Sequence, residues 1–188
     1  MLGGLVGVER GRWTPTGDFG VANGITAFRV GLLGLLPPAA SLGPWPLVAL
    51  SLLLLGLDGV DGWLARRYRL SSEFGAFFDK ETDSLFLLLL CGFAAFQGVL
   101  PFWILGVGLL RYGFVVTLFL LPIPRKTEPR SSVAGYVYVG MVGALLTSFL
   151  PYPTLSNPLV AVATAALLVS FGRSLWDVVA PQRVLRES

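Results

Sequence analysis

Two apolar runs, Trp45–Leu57 and Leu85–Phe96, bracket a stretch that holds four aspartates: Asp58, Asp61, Asp79 and Asp83. Runs of this composition read as arms of membrane-spanning helices. An aspartate near the centre of such a helix costs roughly 2.5–3.5 kcal/mol on insertion scales, so intramembrane carboxylates are functional candidates by default. Any fold for this chain must bring these four together away from lipid.

The spacing says how. Asp58 and Asp61 are three residues apart and share a helix face with Gly62 and Ala65, while Gly75, Asp79 and Asp83 follow one another at i, i+4, i+8. A turn at Leu70-Ser71-Ser72, with Ser72 as N-cap and Glu73 in the first turn, folds the two helices antiparallel. Asp58 then lies level with Asp83, and Asp61 with Asp79 and Lys80, about 10–17 Å below the turn at 1.5 Å per residue. Carboxylates so gathered repel one another, and divalent cations relieve the repulsion. An all-oxygen ligand set suits Mg²⁺, Mn²⁺ or Ca²⁺. The chain has no histidine and its single cysteine, Cys91, lies beyond the stretch, which argues against zinc. Two ions sharing bridging carboxylates serve displacement at phosphorus. Gly62, Ala65 and Gly75 leave room between the helices for a flat or bulky group, and Arg66 adds a fixed positive charge suited to phosphate. The plainer alternative, polar residues acting as glue between helices, accounts for one or two aspartates but not for the whole register.

The pattern D-x2-D-G-x2-A-R-x8-G-x3-D-x3-D, carried here by Asp58, Asp61, Gly62, Ala65, Arg66, Gly75, Asp79 and Asp83, resembles the signature of the CDP-alcohol phosphotransferases at every fixed position. Upstream, Asn23, Thr26 and Arg29 resemble the N-x2-T-x2-R at the start of that family's first helix, which helps line the nucleotide pocket. The alternative there is a capping Asn, a Thr bonded back to its own helix and a snorkelling Arg. The resemblance covers roughly Asn23 to Asp83. It implies six helices, a homodimer and dependence on Mg²⁺ or Mn²⁺, with two ions. It implies that Asp58, Asp61 and Asp79 ligate metal. It gives Gly62, Ala65, Arg66 and Gly75, with Asn23 and Thr26, to the CDP portion of the donor. It makes Asp83 the base that deprotonates the acceptor hydroxyl, with a further contact to metal. The reaction implied moves a phosphatidyl group from CDP-diacylglycerol to a small polar alcohol and releases CMP, a step of phospholipid biosynthesis. Members that use glycerol phosphate often read L-D-P-x-A-D-K across the last two aspartates, where this chain reads Phe78-Asp79-Lys80-Glu81-Thr82-Asp83-Ser84. Glycerol 3-phosphate, inositol phosphate, an unphosphorylated alcohol and another lipid therefore all stay open as acceptor.

The whole chain fits a membrane protein. Of 188 residues, 54% are hydrophobic and 13% charged, and the mean hydropathy is +0.74. The expected fold class is all-α: an integral membrane bundle of six transmembrane helices forming a single domain over residues 1–188. Residues 1–20 form a short interfacial segment with Trp13 as anchor, or a floppy tail, and residues 181–188 a flexible tail. The helices are expected near Val21–Ala40, ending at Pro37-Pro38 or just after, then Pro44–Tyr68, Ser72–Gln97, Pro101–Leu121, Ser131–Leu150 and Leu155–Val178. No signal-peptide pattern precedes them. The loop charges fall on one side only. Arg66, Arg67 and Arg69 lie in one turn and Arg125, Lys126, Glu128 and Arg130 in another, with Arg10, Arg12, Arg183 and Arg186 in the tails. The loops around Leu42, Gly98 and Tyr152 carry none. The positive-inside rule then puts both termini and the aspartates on the cytosolic side, and accounts for the net charge of +3 without nucleic acid.

A second constellation is basic: Arg111, Arg125, Lys126 and Arg130. Arg111 sits inside an apolar run and needs a partner or a watery cavity. One reading is a site for an anionic acceptor. The other, for the three loop residues, is ordinary flanking charge beside anionic lipid. Two further functions are compatible with membrane aspartates: an intramembrane prenyltransferase, and a non-enzymatic ion carrier or assembly factor. Metal-dependent CMP release separates both from the phosphotransferase.

Overall fold

In the computed structural model the described residues are 21–68, 73–120, 132–151 and 153–179. They form seven helices and no strand: α1 Val21–Leu33, α2 Leu36–Leu42, α3 Pro44–Arg67, α4 Glu73–Phe96, α5 Ile104–Leu120, α6 Ser132–Phe149 and α7 Pro153–Val179. The expected turn at Leu70-Ser71-Ser72 lies outside the described residues, as do the two tails.

Five of the six expected helices are found within a few residues of their expected ends. The first is different. It breaks into α1 and α2, bent by 43°. The physical reason lies in Pro37 and Pro38: neither has an amide proton, so the carbonyls one turn before them lose their helical partners. The chain tightens instead, with Gly34 N–H donating to the Gly31 carbonyl and Leu35 N–H to the Leu32 carbonyl. Proline is well placed in the first turn of α2, so the helix restarts rather than ends. Gly43, at φ 124°, then reverses the chain into α3. Gly98, at φ 71°, does the same after α4.

Helix α4 lies at the centre and packs against α1, α5 and α6. Helix α1 packs against both α3 and α4, whose own backbones meet little. Helices α6 and α7 share the most extensive contact. The core draws on several helices: Leu36, Leu47, Leu54, Phe86, Leu90, Cys91, Ile104, Met141, Leu145 and Val160 are all at most 1% exposed. At Gly108 of α5 the backbone of α4 comes so close that a Cβ would meet Leu88 Cα at 2.9 Å. Outward faces are apolar as well, with Phe28, Leu52, Trp63, Phe96, Val162, Val169 and Trp176 exposed. A water-soluble helix carries polar residues there, whereas lipid accepts this pattern.

Among the described residues, two helices are long and apolar enough to cross a membrane alone, Pro44–Leu64 and Asn157–Ser174, and the bent pair α1–α2 makes a third if it is one span. Ile104–Thr117 and Val133–Phe149 are apolar but shorter. Helix α4 is 24 residues long, about 36 Å. Glu73, Asp79, Lys80, Glu81 and Asp83, all in its first half, keep it from reading as a span. Two of the charges that disqualify α4 by composition, Asp79 and Asp83, are those of the candidate site.

Candidate active site

The four aspartates converge, and the residue that joins them comes from a third helix. Arg29 of α1 is 1% exposed. Its Nη1 lies 3.0 Å from Asp58 Oδ1, 3.1 Å from Asp61 Oδ2 and 3.0 Å from Asp79 Oδ1, and its Nη2 lies 2.7 Å from Asp83 Oδ1. The short run Asn-x2-Thr-x2-Arg explains the aim. Thr26 and Arg29 are one turn apart on α1 and point the same way. Thr26 Oγ1 donates to Asp61 Oδ2 at 3.0 Å. So Thr26 faces the cluster, and Arg29 does not snorkel. Asn23, one turn earlier, is 5% exposed and completes the buried face.

The carboxylates are not equivalent. Asp61 is the buried one, at 3%. The side chains of Asp58, Asp79 and Asp83 keep 21%, 23% and 22% of their surface open. Asp58, Asp61 and Asp79 each offer an oxygen, and these three oxygens lie within 4.8 Å of one another. Asp83 lies outside that set and pairs with the other guanidinium nitrogen. Four carboxylates against one guanidinium leave a formal charge of −3 where water is scarce, so the cluster attracts further positive charge. Asp61 Oδ1 is moreover buried without a hydrogen-bond partner. A buried, unsatisfied carboxylate oxygen beside two others is a hard, anionic donor set. It fits Mg²⁺ or Mn²⁺ and offers nothing to a soft metal.

Several neighbours can be assigned. Thr82 and Ser84 flank Asp83, but their hydroxyls donate back to the Phe78 and Lys80 carbonyls at 2.8 Å and 2.7 Å. They are spent on their own helix. Tyr138 of α6 donates to the Asp83 carbonyl at 3.4 Å, which ties α6 to the back of the cluster. Gly62 follows Asp61 on α3, and Gly75 stands one turn before Asp79 on α4, so both expected small positions border the acids. Ala65 and Arg66 lie on α3, but their side chains fall outside the described residues. So do Arg125, Lys126 and Arg130 as a whole.

Arg111 is not at the cluster. Its Nε and Nη2 donate to Glu81 Oε1 at 3.3 Å and 3.1 Å. Glu81 is two residues from both Asp79 and Asp83, which puts it on the opposite side of α4. The partner that an intramembrane arginine requires is thus a glutamate of the facing helix. Sequence reasoning leaves three residues unplaced: Arg29 as the hub, Glu81 as the partner of Arg111, and Tyr138. Arg29 had a signal, its one-turn spacing from Thr26. Glu81 had one in its opposite charge on the next antiparallel helix. Tyr138 had none.

The CDP-alcohol phosphatidyltransferase family model matches residues 19–179. The chain belongs to that family. The match runs well beyond Asn23–Asp83, so α5, α6 and α7 are part of the family's domain and not an addition to it. A protein of Drosophila melanogaster named "Probable cardiolipin synthase (CMP-forming)" is 33% identical over 127 residues, which are 64% of this chain and 36% of that protein. An uncharacterized protein of Aquifex aeolicus (strain VF5) is 44% identical over 69 residues, 36% of this chain and 30% of that protein. The matched stretch thus spans about a third of the length of the curated relatives. No solved structure matches the chain significantly. In this CDP-alcohol phosphatidyltransferase, Asp58, Asp61, Gly62, Ala65 and Arg66 fall on α3 and Gly75, Asp79 and Asp83 on α4, the helices that carry the four aspartates.

Proposed function

We propose that this chain transfers a phosphatidyl group from CDP-diacylglycerol to an alcohol and releases CMP. The observation that carries the reading is the arrangement of the acids: Asp58, Asp61 and Asp79 share one small volume, and Asp83 stands beside it. That division suits two tasks. Asp58, Asp61 and Asp79 hold divalent ions, Mg²⁺ or Mn²⁺. When bound, these ions neutralise the donor diphosphate and make its phosphorus a better electrophile. Asp83 accepts the proton of the acceptor hydroxyl as the new ester bond forms, and CMP leaves. Gly62, Ala65 and Gly75 let the CDP portion approach the backbone, and Arg66 with Asn23 and Thr26 lines its pocket. Thr26 also fixes the Asp61 carboxylate by hydrogen bond.

In this reading the chain spans the bilayer six times, as a homodimer, with the site and both termini facing the cytosol. The charge asymmetry of the loops supports the sidedness. The donor is a lipid because the carboxylates lie between helices with apolar outer faces. The acceptor is an alcohol whose headgroup meets the basic loop Arg125, Lys126 and Arg130. Arg111 joins that loop only by giving up Glu81. The name of the Drosophila relative makes a lipid alcohol the first acceptor to try, ahead of glycerol 3-phosphate, inositol phosphate and free polyols. The experiment is purified chain in lipid nanodiscs with CDP-diacylglycerol, Mg²⁺ or Mn²⁺ and each acceptor in turn, including phosphatidylglycerol, with the lipid product read by mass. One acceptor giving a new lipid and stoichiometric CMP is the expected result. CMP formation with none of them, or a product lacking the phosphatidyl group, contradicts the reading.

A further inference from the structure

A cation at the middle of a metal-ligand set works against metal binding, yet Arg29 sits there. Its Nη1 is 3.0–3.1 Å from an oxygen of Asp58, Asp61 and Asp79, the three residues whose ligand atoms lie within 4.8 Å of one another. Nη1 has two protons for three carboxylates. It donates to Asp61 and Asp79, and the contact with Asp58 is an ion pair without a hydrogen bond. The Nε of the same guanidinium is buried with no acceptor. A side chain placed to satisfy its own donors would not leave one of them orphaned. Attraction to the centre of the acids therefore decides where Arg29 sits.

We propose that Arg29 is the internal counter-cation of the cluster. It holds α1, α3 and α4 together while no divalent ion is bound, and Nη1 yields Asp58, Asp61 and Asp79 to the ion that replaces it, while Nη2 keeps Asp83. This rests on the reading that the three aspartates bind a divalent ion. The consequence has two opposite signs. Without a metal, removing the guanidinium leaves four carboxylates facing one another, and the fold weakens. With a metal, removing a unit charge that competes for the same oxygens tightens ion binding, by about tenfold or more even when well screened. An arginine with a merely structural role moves both in the same direction, because a loosened fold binds the ion less well.

The test uses the full chain as wild type, Arg29→Gln and Arg29→Lys. Thermal unfolding is followed in EDTA and in saturating Mg²⁺, and Mn²⁺ affinity is read from the electron paramagnetic resonance of the free ion. Arg29→Gln is expected to unfold earlier than wild type in EDTA, to regain most of the difference in Mg²⁺, and to bind Mn²⁺ about tenfold tighter or more. Arg29→Lys keeps the charge and is expected to bind Mn²⁺ within about threefold of wild type. Arg29→Gln that binds Mn²⁺ no more tightly than wild type overturns the counter-cation role. So does Arg29→Gln that fails to fold even when purified in Mg²⁺, or Arg29→Lys that tightens binding as much as Arg29→Gln. In each of these cases the ion site itself stands so long as the wild type binds Mn²⁺. A wild type with no affinity for Mn²⁺ overturns both readings.

Discussion

Replacing Asp83 by asparagine separates chemistry from assembly more cleanly than any other change at the cluster. Asparagine has the same shape, and its carbonyl oxygen can still accept from Arg29 Nη2, now 2.7 Å from Asp83 Oδ1. What is lost is one charge. The Arg29 contact loses its charge–charge attraction but keeps a charged donor, and a hydrogen bond with one charged partner still contributes about 1.5–3 kcal/mol, so the contact weakens without being lost. Against this, the formal charge of the cluster falls from −3 to −2, which relieves repulsion among acids that share one small volume. The two effects have opposite signs, and the expected net change in stability is within about 1 kcal/mol. Ion binding is expected to survive, because Asp83 lies outside the three-carboxylate set. Turnover is expected to fall at least about 10²-fold, the lower range for a lost general base, or about 2.7 kcal/mol of barrier. The assay pairs CMP release with titration of CDP in the presence and absence of Mg²⁺. Thermal unfolding serves as the control. Near-normal turnover in Asp83→Asn would refute the base assignment. Loss of Mg²⁺-dependent CDP binding equal to that of Asp58→Asn or Asp61→Asn would refute the division of labour.

Other consequences are open to simple measurements. Thr26→Val removes the donor to Asp61, whose other oxygen already has no partner; it should cost about 1–3 kcal/mol in thermal or denaturant unfolding and weaken CDP binding, and an unchanged unfolding curve would count against the contact. Gly108→Ala places a methyl group 2.9 Å from Leu88 Cα, which should destabilise by about 1–3 kcal/mol through overpacking while leaving the affinity for Mn²⁺ unchanged. Glu81→Gln and Arg111→Gln should each lower the unfolding temperature by removing the charge–charge attraction of a half-buried pair, and Glu81→Leu with Arg111→Leu should recover part of the loss; a double variant less stable than both single ones would show that the pair is not what holds α4 to α5.

The aspartate register was legible because helical spacing is rigid: i, i+3 on α3 and i, i+4 on α4 leave little freedom once the helices are antiparallel. The helix limits were legible too, since glycines and prolines bracket apolar runs of fixed length. What escaped was long-range. A two-helix view of Asp58–Asp83 treats the carboxylates as waiting for metal, but a protein must also assemble before the metal arrives. The cation that permits this comes from α1, 29 residues upstream of Asp58. Nothing in the local pattern of α3 and α4 demands it. The partner of Arg111 escaped for the same reason. An arginine in an apolar run needs a partner or a watery cavity, and only the pairing of α4 with α5 supplies Glu81. The bend between α1 and α2 escaped because Pro37-Pro38 both ends one helix and suits the first turn of the next.

The central claim is that carboxylates brought together by α3 and α4 make this chain a divalent-dependent transferase acting on CDP-diacylglycerol. The most direct measurement is CMP release by purified chain from CDP-diacylglycerol in a total lipid extract, which supplies mixed acceptors. It is made after exhaustive EDTA treatment and again after adding back Mg²⁺ or Mn²⁺, with Asp61→Asn in parallel. No CMP is expected in EDTA; either ion restores release in the wild type and neither restores it in Asp61→Asn. Equal CMP release with and without the ion, or wild-type release by Asp61→Asn, would contradict the claim.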